Sequence, residues 1–401
     1  MKPLHEAGLL LIFAVGVRAL SAAALGGGAP FGPDGTGVEA AVHLGGHLYP
    51  FHVELIRLIG SARLLSVISG GLCAPLLWAI GHRLGLGGAG GWLWAAAPLG
   101  VYTGALSAGD APALCVVLLG VLLATGGRRS GLLGGALAMA SVAVKPVALP
   151  ALGLLLLRPW GLVGAALSLP WTSGWLGPLV APKVQGGLLG SWWVSSAGRP
   201  PAGLGGALSL GLTGLEALVA APLWAGLLLG PIAALGALRR GGPGLGVVGP
   251  LLGLVGVAAL FGDRLEPRYL AAPLAALCPY AGALLPGWVG LMGLLPTAAL
   301  ITQVGAYRAS ADPLAGVPAL PVLAAPRVDA RALFEESSVE GASAMRLRAA
   351  QLAEEAPLGS VIEVEPLPHG REGELLWPLR VARPDLRLVV GGRPAASGPA
   401  R

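Results

Sequence analysis

Residues 91–126 read GWLWAAAPLGVYTGALSAGDAPALCVVLLGVLLATG and carry a single charged side chain, Asp110. The apolar runs on its two sides, 90–107 and 110–126, each approach the ~20 residues a helix needs to cross a bilayer. A carboxylate in the tight turn between them is costly to bury in lipid and usually marks function. This stretch predicts two membrane helices that turn at an acid.

The pattern extends outward in both directions. Further apolar runs cover 7–25, 62–82, 130–144, 146–158, 160–172, 206–237, 245–261, 269–286 and 288–306, about eleven spans in all. The segments between 146 and 172 are the shortest. The N-terminal MKPLHEAGLLLIFAVGVRALSAAAL has the outline of a signal peptide. Arg18 interrupts it and more spans follow, so it reads as an uncleaved first span with Arg18 turned to the bundle interior. The fold expected is an all-α polytopic membrane bundle over 1–310, with outer loops 26–61 and 173–205.

Composition agrees. Of the 401 residues 55% are hydrophobic and only 11% charged, with a mean hydropathy of +0.75. Soluble domains carry roughly 25% charged residues, so an ordinary soluble enzyme is excluded, and disorder with it. The 66 Gly and 35 Pro show no three-residue period, which excludes collagen. With three lysines against 23 arginines, the chain bears a GC-rich codon bias that dilutes Gly and Pro as structural signals and makes Lys145 unusual.

Residues 1–311 hold sixteen basic and eight acidic side chains, whereas 312–401 hold ten and twelve. The basic excess therefore lies in the membrane part, facing lipid headgroups or an anionic lipid substrate. No basic cluster interleaved with aromatics suggests nucleic acid. The segment 311–401 reads as a small α/β extramembrane domain: an amphipathic helix over 340–355, short strands in SVIEVEP (360–366) and LRLVVGG (386–392), and a disordered tail. No internal repeat is evident, which disfavours transporters built from related halves.

Arg83, Arg128, Arg129, Arg158, Arg239 and Arg240 fall on one side of the span count, with Lys2. By the positive-inside rule that side is cytoplasmic, in a bacterial inner membrane, and the long loops and C-terminal domain face outward. Outward arginines (Arg57, Arg63, Arg199, Arg264, Arg268) break the rule, as a phosphate site would.

Charges of both signs collect at the outward side from segments far apart in sequence: Asp34, Glu39, Asp110, Asp263 and Glu266, with Lys145, Arg264 and Arg268. The plain alternative is solvated loop charge. His43 and His47 share a helix face, with His52 nearby, a spacing that can hold a metal but lacks a clear third ligand. Trp171, Trp175, Trp192 and Trp193 read as an interfacial belt or as surfaces for a sugar or lipid chain. Cys73, Cys115 and Cys278 lie in apolar runs as small core residues.

Five motifs in order carry a family resemblance: Asp34 in GPDGTGVEAAVHLGGHLYP, Arg63 in ARLLSVISGGLCAPLLWAIGHRLG, Asp110 in AAAPLGVYTGALSAGDAPALCVVLLG, Lys145 in LLGGALAMASVAVKPVALP, and Arg268 with Tyr269 in FGDRLEPRYLAAPLAAL. The series resembles the GT-C glycosyltransferases, in particular the branch of protein O-mannosyltransferases and aminoarabinose transferases, over roughly 1–290. The resemblance implies transfer of a sugar from a polyprenyl-phosphate carrier to an acceptor at the outer face, with inversion, leaving sugar and acceptor open. Asp34 matches the carboxylate that acts on the acceptor. Asp110 would be a second acid, positioning acceptor or a divalent metal ion. Lys145, Arg268, Arg264, Arg63 and Tyr269 would serve the carrier phosphate. Many members have two adjacent acids in the first loop; here Gly35 follows Asp34, and Glu39 could supply the second if 36–48 is helical. Two other readings stay open: a transporter or flippase of a lipid-linked or small anionic substrate, and a non-catalytic homologue acting as an assembly partner.

Overall fold

The computed structural model describes residues 3–24, 50–106, 108–180, 229–239, 245–261, 270–291, 294, 348–364 and 373–394. Helix α1 (Pro3–Ala24) runs into the bundle. A short amphipathic helix α2 (Pro50–Ile59) precedes α3 (Ala62–Arg83). Then come α4 (Ala89–Ala96), α5 (Pro98–Ala105), α6 (Asp110–Ala124) and α7 (Arg128–Ala140). Two 3₁₀ segments (Ser141–Ala143 and Pro146–Leu157) lead to α8 (Pro159–Val180). Helices α9 (Leu229–Arg239), α10 (Leu245–Phe261), α11 (Ala271–Gly282) and α12 (Trp288–Leu291) complete the described bundle.

Among the described residues, Leu4–Ala23 and Ala62–Arg83 are each long and apolar enough to cross a membrane alone. Of the other apolar runs, α8 and α10 are single helices of 22 and 17 residues, and several are divided into shorter pieces. Residues 90–107, read from sequence as one span, break at Ala97, which is extended (φ −60°, ψ 127°). The cause is Pro98, which has no N–H to continue the helix and pushes the residue before it out of the helical region. The run 146–158 is 3₁₀ rather than α, with Pro146 at its start and Pro150 inside. At about 2.0 Å per residue instead of about 1.5 Å, such a segment reaches further across a bilayer than an α-helix of equal length.

The core is built on small residues. Helices α6 and α7 form an antiparallel hairpin in which Gly120 and Gly134 face each other. A methyl group on Gly120 would lie 2.6 Å from the Gly134 carbonyl, so backbones meet where lipid provides no hydrophobic drive to hold them. Cys278 and the neighbouring apolar side chains of α11 are buried at the centre, against α4, α9 and the long 3₁₀ segment. All three cysteines are free thiols.

Arg18 is fully buried. Its Nη1 donates to the carbonyls of Ala14 (2.9 Å) and Ala95 (3.2 Å), and Nη2 to that of Trp94 (3.4 Å). The break at Pro98 takes α-helical donors away from the last two carbonyls, and a cation at a helix C-terminus is favourable. A methyl group on Gly104 would lie 2.6 Å from Arg18 Cδ, and one on Gly70 would lie 2.8 Å from Gly104 Cα. The arginine expected to face the interior thus fills a slot that two glycines leave open.

Outside the bundle, β1 (Val361–Val364) pairs in parallel with β2 (Arg387–Val390), and β3 (Arg393–Pro394) pairs antiparallel with β2. Helix α13 (Gly373–Ala382) lies between β1 and β2 in sequence. Leu375, Leu376, Leu379, Leu386 and Leu388 bury a small core with Ala349. β1 and β2 fall within the stretches read as strands, 360–366 and 386–392, whereas β3 takes up Arg393 and Pro394 of the stretch 392–401 read as a disordered tail.

Candidate active site

The hairpin α6–α7 brings Asp110 and Lys145 together. Asp110 opens α6, and the chain returns through α7 and a 3₁₀ turn to Lys145, which is extended (φ −168°, ψ 130°). Lys145 Nζ lies 3.1 Å from Asp110 Oδ2, with side chains only 10% and 3% exposed. The sequence reading set both at outward turns as candidate site residues, with solvated loop charge as the plain alternative. The structure instead buries them as an ion pair. Desolvating either charge alone would be expensive, and each meets that cost through the other. The start of α6 adds its own positive end to the stabilisation of the carboxylate.

Neighbouring elements close over the pair. Ser66 Oγ of α3 donates to the Ala108 carbonyl at 2.9 Å and pins the turn before Asp110. Arg63 lies three residues earlier, on the same helix face as Ser66. Helix α2 carries His52, Val53 and Ile56 buried on one side and Glu54, Arg57 and Leu58 on the other. Its His52 packs at Gly109, where a methyl group would come within 3.1 Å of Nδ1 and 3.3 Å of the Val144 carbonyl. His52 therefore stands beside the residues that precede both Asp110 and Lys145. Sequence reading weighed it only as a metal ligand beside His43 and His47. The signal that could have found it is the apolar face of 50–59, on which a histidine is out of character.

Asp110 Oδ1 is buried and has no hydrogen-bond partner among the described residues. It is a carboxylate oxygen ready to accept from a ligand, next to an ammonium with N–H donors suited to an anion. Among the described residues no group of three His, Cys, Asp or Glu converges as a metal would require. Asp110 has one oxygen committed to Lys145. Asp34, Glu39, His43, His47, Arg264, Arg268 and Tyr269 lie outside the described residues, as do Trp192 and Trp193. Trp171 is 79% exposed on α8, as a lipid or interfacial side chain would be.

From this end α3 runs to Arg83, α6 leads on to Arg128, and the long 3₁₀ segment ends before Arg158. The arginine-bearing ends lie opposite the Asp110–Lys145 end. Arg128 stacks over the Trp160 ring at 4.3 Å.

These features define a helical bundle in which, among the described residues, two helices are long and apolar enough to cross a membrane. No protein-family model matches the chain, and no curated protein matches it. Two solved structures share its fold, both of ArnT from Cupriavidus metallidurans. The form bound to undecaprenyl phosphate is 17% identical with a TM-score of 0.54, covering 93% of this chain and 85% of that one. The apo form is 16% identical with a TM-score of 0.54, covering 92% and 85%.

Proposed function

We propose that the chain is an integral membrane glycosyltransferase that moves a sugar from a polyprenyl-phosphate donor to an acceptor at the outer face of the membrane. The observation that carries this reading is the buried Asp110–Lys145 pair at one end of a bundle sharing its fold with ArnT, one of whose structures is bound to undecaprenyl phosphate. The arginine-bearing end is cytoplasmic by the positive-inside rule, so the pair faces outward.

In the proposed reaction Asp34 accepts the proton of an acceptor hydroxyl, which is a weak nucleophile until a base takes it. The oxygen attacks the anomeric carbon from the face opposite the phosphate. The bond from that carbon to the phosphate oxygen breaks, the configuration inverts, and the polyprenyl phosphate leaves with the bonding pair. Lys145 and Arg268 hold the departing charge, with Arg264, Arg63 and Tyr269 beside them. Asp110 orients Lys145 and offers its second oxygen to the acceptor; Glu39 is the candidate second acid of the first loop.

The test is radiolabelled sugar transfer from polyprenyl-phosphate sugars by the purified protein, with Asp34→Asn in parallel. Transfer by the wild type and its loss in the variant, at equal expression and thermal stability, is the expected result. Full transfer by Asp34→Asn overturns the base assignment. A wild type that neither transfers sugar nor binds polyprenyl phosphate shifts the weight to a transporter or an assembly partner.

A further inference from the structure

A second polar feature lies at the other end of the bundle. Ser66, near the start of α3, touches Ala108, whereas the far end of α3 turns through 84–88 into α4. From Ser66 to His82 the helix rises about 24 Å at 1.5 Å per residue. The starts of α1, α4 and α12 meet there around a groove enclosing about 260 Å³, lined by Glu6, Ala89, Trp92, Gly287, Trp288 and Leu291. Drug-sized sites run to roughly 300–1,000 Å³, so this one suits a small group.

Its chemistry has one sign. Glu6 is in the first turn of α1, where a carboxylate meets the positive end of the helix. Its Oε1 accepts from Trp92 Nε1 at 3.2 Å, which fixes the carboxylate, while Oε2 has no partner among the described residues. Among the described residues the other polar side chains on the wall are the two indoles, and no cation lines it. Aromatic rings attract cations, and the carboxylate does so more strongly. The surroundings are apolar: Leu4, Leu9 and Ile12 of α1 are 88%, 52% and 71% exposed, and Trp288 is 64% exposed. Side chains of this kind at the end of a membrane helix face lipid, and tryptophan favours the headgroup level.

We propose that this groove binds the ammonium of a phosphatidylethanolamine headgroup. A primary ammonium has N–H donors for the Glu6 oxygen. A trimethylammonium has none and keeps only the ring contacts. An anionic glycerol headgroup meets Glu6 with like charge. This inference does not rest on the glycosyltransferase reading.

The experiment is native mass spectrometry of the delipidated full chain in detergent, offered phosphatidylethanolamine, phosphatidylcholine and phosphatidylglycerol at equal mole fraction. The wild type is expected to retain phosphatidylethanolamine about five- to tenfold over phosphatidylglycerol, with phosphatidylcholine between them. Glu6→Gln, which keeps an oxygen for Trp92, is expected to bring the ratio near one at an unchanged thermal midpoint. Trp288→Ala lowers it, and Trp288→Phe restores it. Equal retention of the three lipids by the wild type, or full preference in Glu6→Gln, overturns the proposal. Soluble phosphoethanolamine binding as tightly as the lipid overturns the lipid as occupant.

Discussion

Asp110 and Lys145 are each out of place in an apolar chain, and their contact helps to make both tolerable. Removing one partner of a buried pair leaves an uncompensated charge, at a cost of about 3–5 kcal/mol, whereas replacing both with apolar groups is often neutral. Lys145→Met is therefore expected to lower the thermal midpoint in detergent sharply, and Asp110→Leu with Lys145→Met to recover most of the loss while abolishing transfer. Additive losses in the double variant would show that the 3.1 Å contact carries no coupling. The sequence reading set both residues on one side of the span count, as an antiparallel hairpin returns the end of α7 to the start of α6, but did not pair them. The place of His52 was not legible, since its neighbour Gly109 is remote in sequence; the apolar face of 50–59 marks the histidine as unusual but not what it touches.

At the level of elements, hydropathy locates apolar runs but not their breaks. Pro98 leaves the run 90–107 uniformly apolar, and prolines are tolerated in membrane helices, so the run reads as one span. The break becomes visible only with Arg18, whose guanidinium takes the carbonyls of Trp94 and Ala95. Arg18 was legible as an inward charge; its partners are backbone groups, which sequence does not display. The slot it fills has no room for a further carbon. Gly104→Ala is expected to destabilise by about 1–3 kcal/mol, as overpacking of a tight core does, read as a shift in chemical unfolding in detergent. Gly16, on the same helix as Arg18, has open space at its Cβ. Gly16→Ala is expected to be neutral or to stabilise by up to about 1 kcal/mol through helix propensity. Equal effects at the two positions would remove the case for a tight slot.

Over the whole molecule, charge density divides the chain more clearly than any motif: 24 of the first 311 residues are charged, against 22 of the last 90. The strands at 361–364 and 387–390 were legible from alternation, while the joint that ties them was not, because it is made by side chains reaching backbone groups. Arg383 donates through Nε and Nη2 to both oxygens of Asp385 at 2.8 and 2.9 Å, and through Nη1 to the carbonyls of Ala353 and Ala356 at 2.7 and 3.0 Å. The Gly359 N–H donates to Asp385 Oδ2 at 2.9 Å. One carboxylate thus links the end of the helical stretch 348–355, the turn into β1 and the approach to β2. The Arg383 hydrogen bonds, and after them that from Gly359, hold the Asp385 carboxyl well below its ordinary value of 3.8. A depressed carboxyl contributes stability that is complete above its unfolded pKa and lost as pH falls from there through the folded value. Amide exchange over 353–360 in the full chain is therefore expected to be slow at neutral pH and to rise as pH drops below about 4, after correction for intrinsic exchange. Asp385→Asn is expected to show the raised exchange already at pH 7, with the amides of α3 and α6 unchanged. Wild-type protection in that variant would mean that the small apolar core of Leu375, Leu379 and Leu388, rather than the carboxylate, holds this unit together.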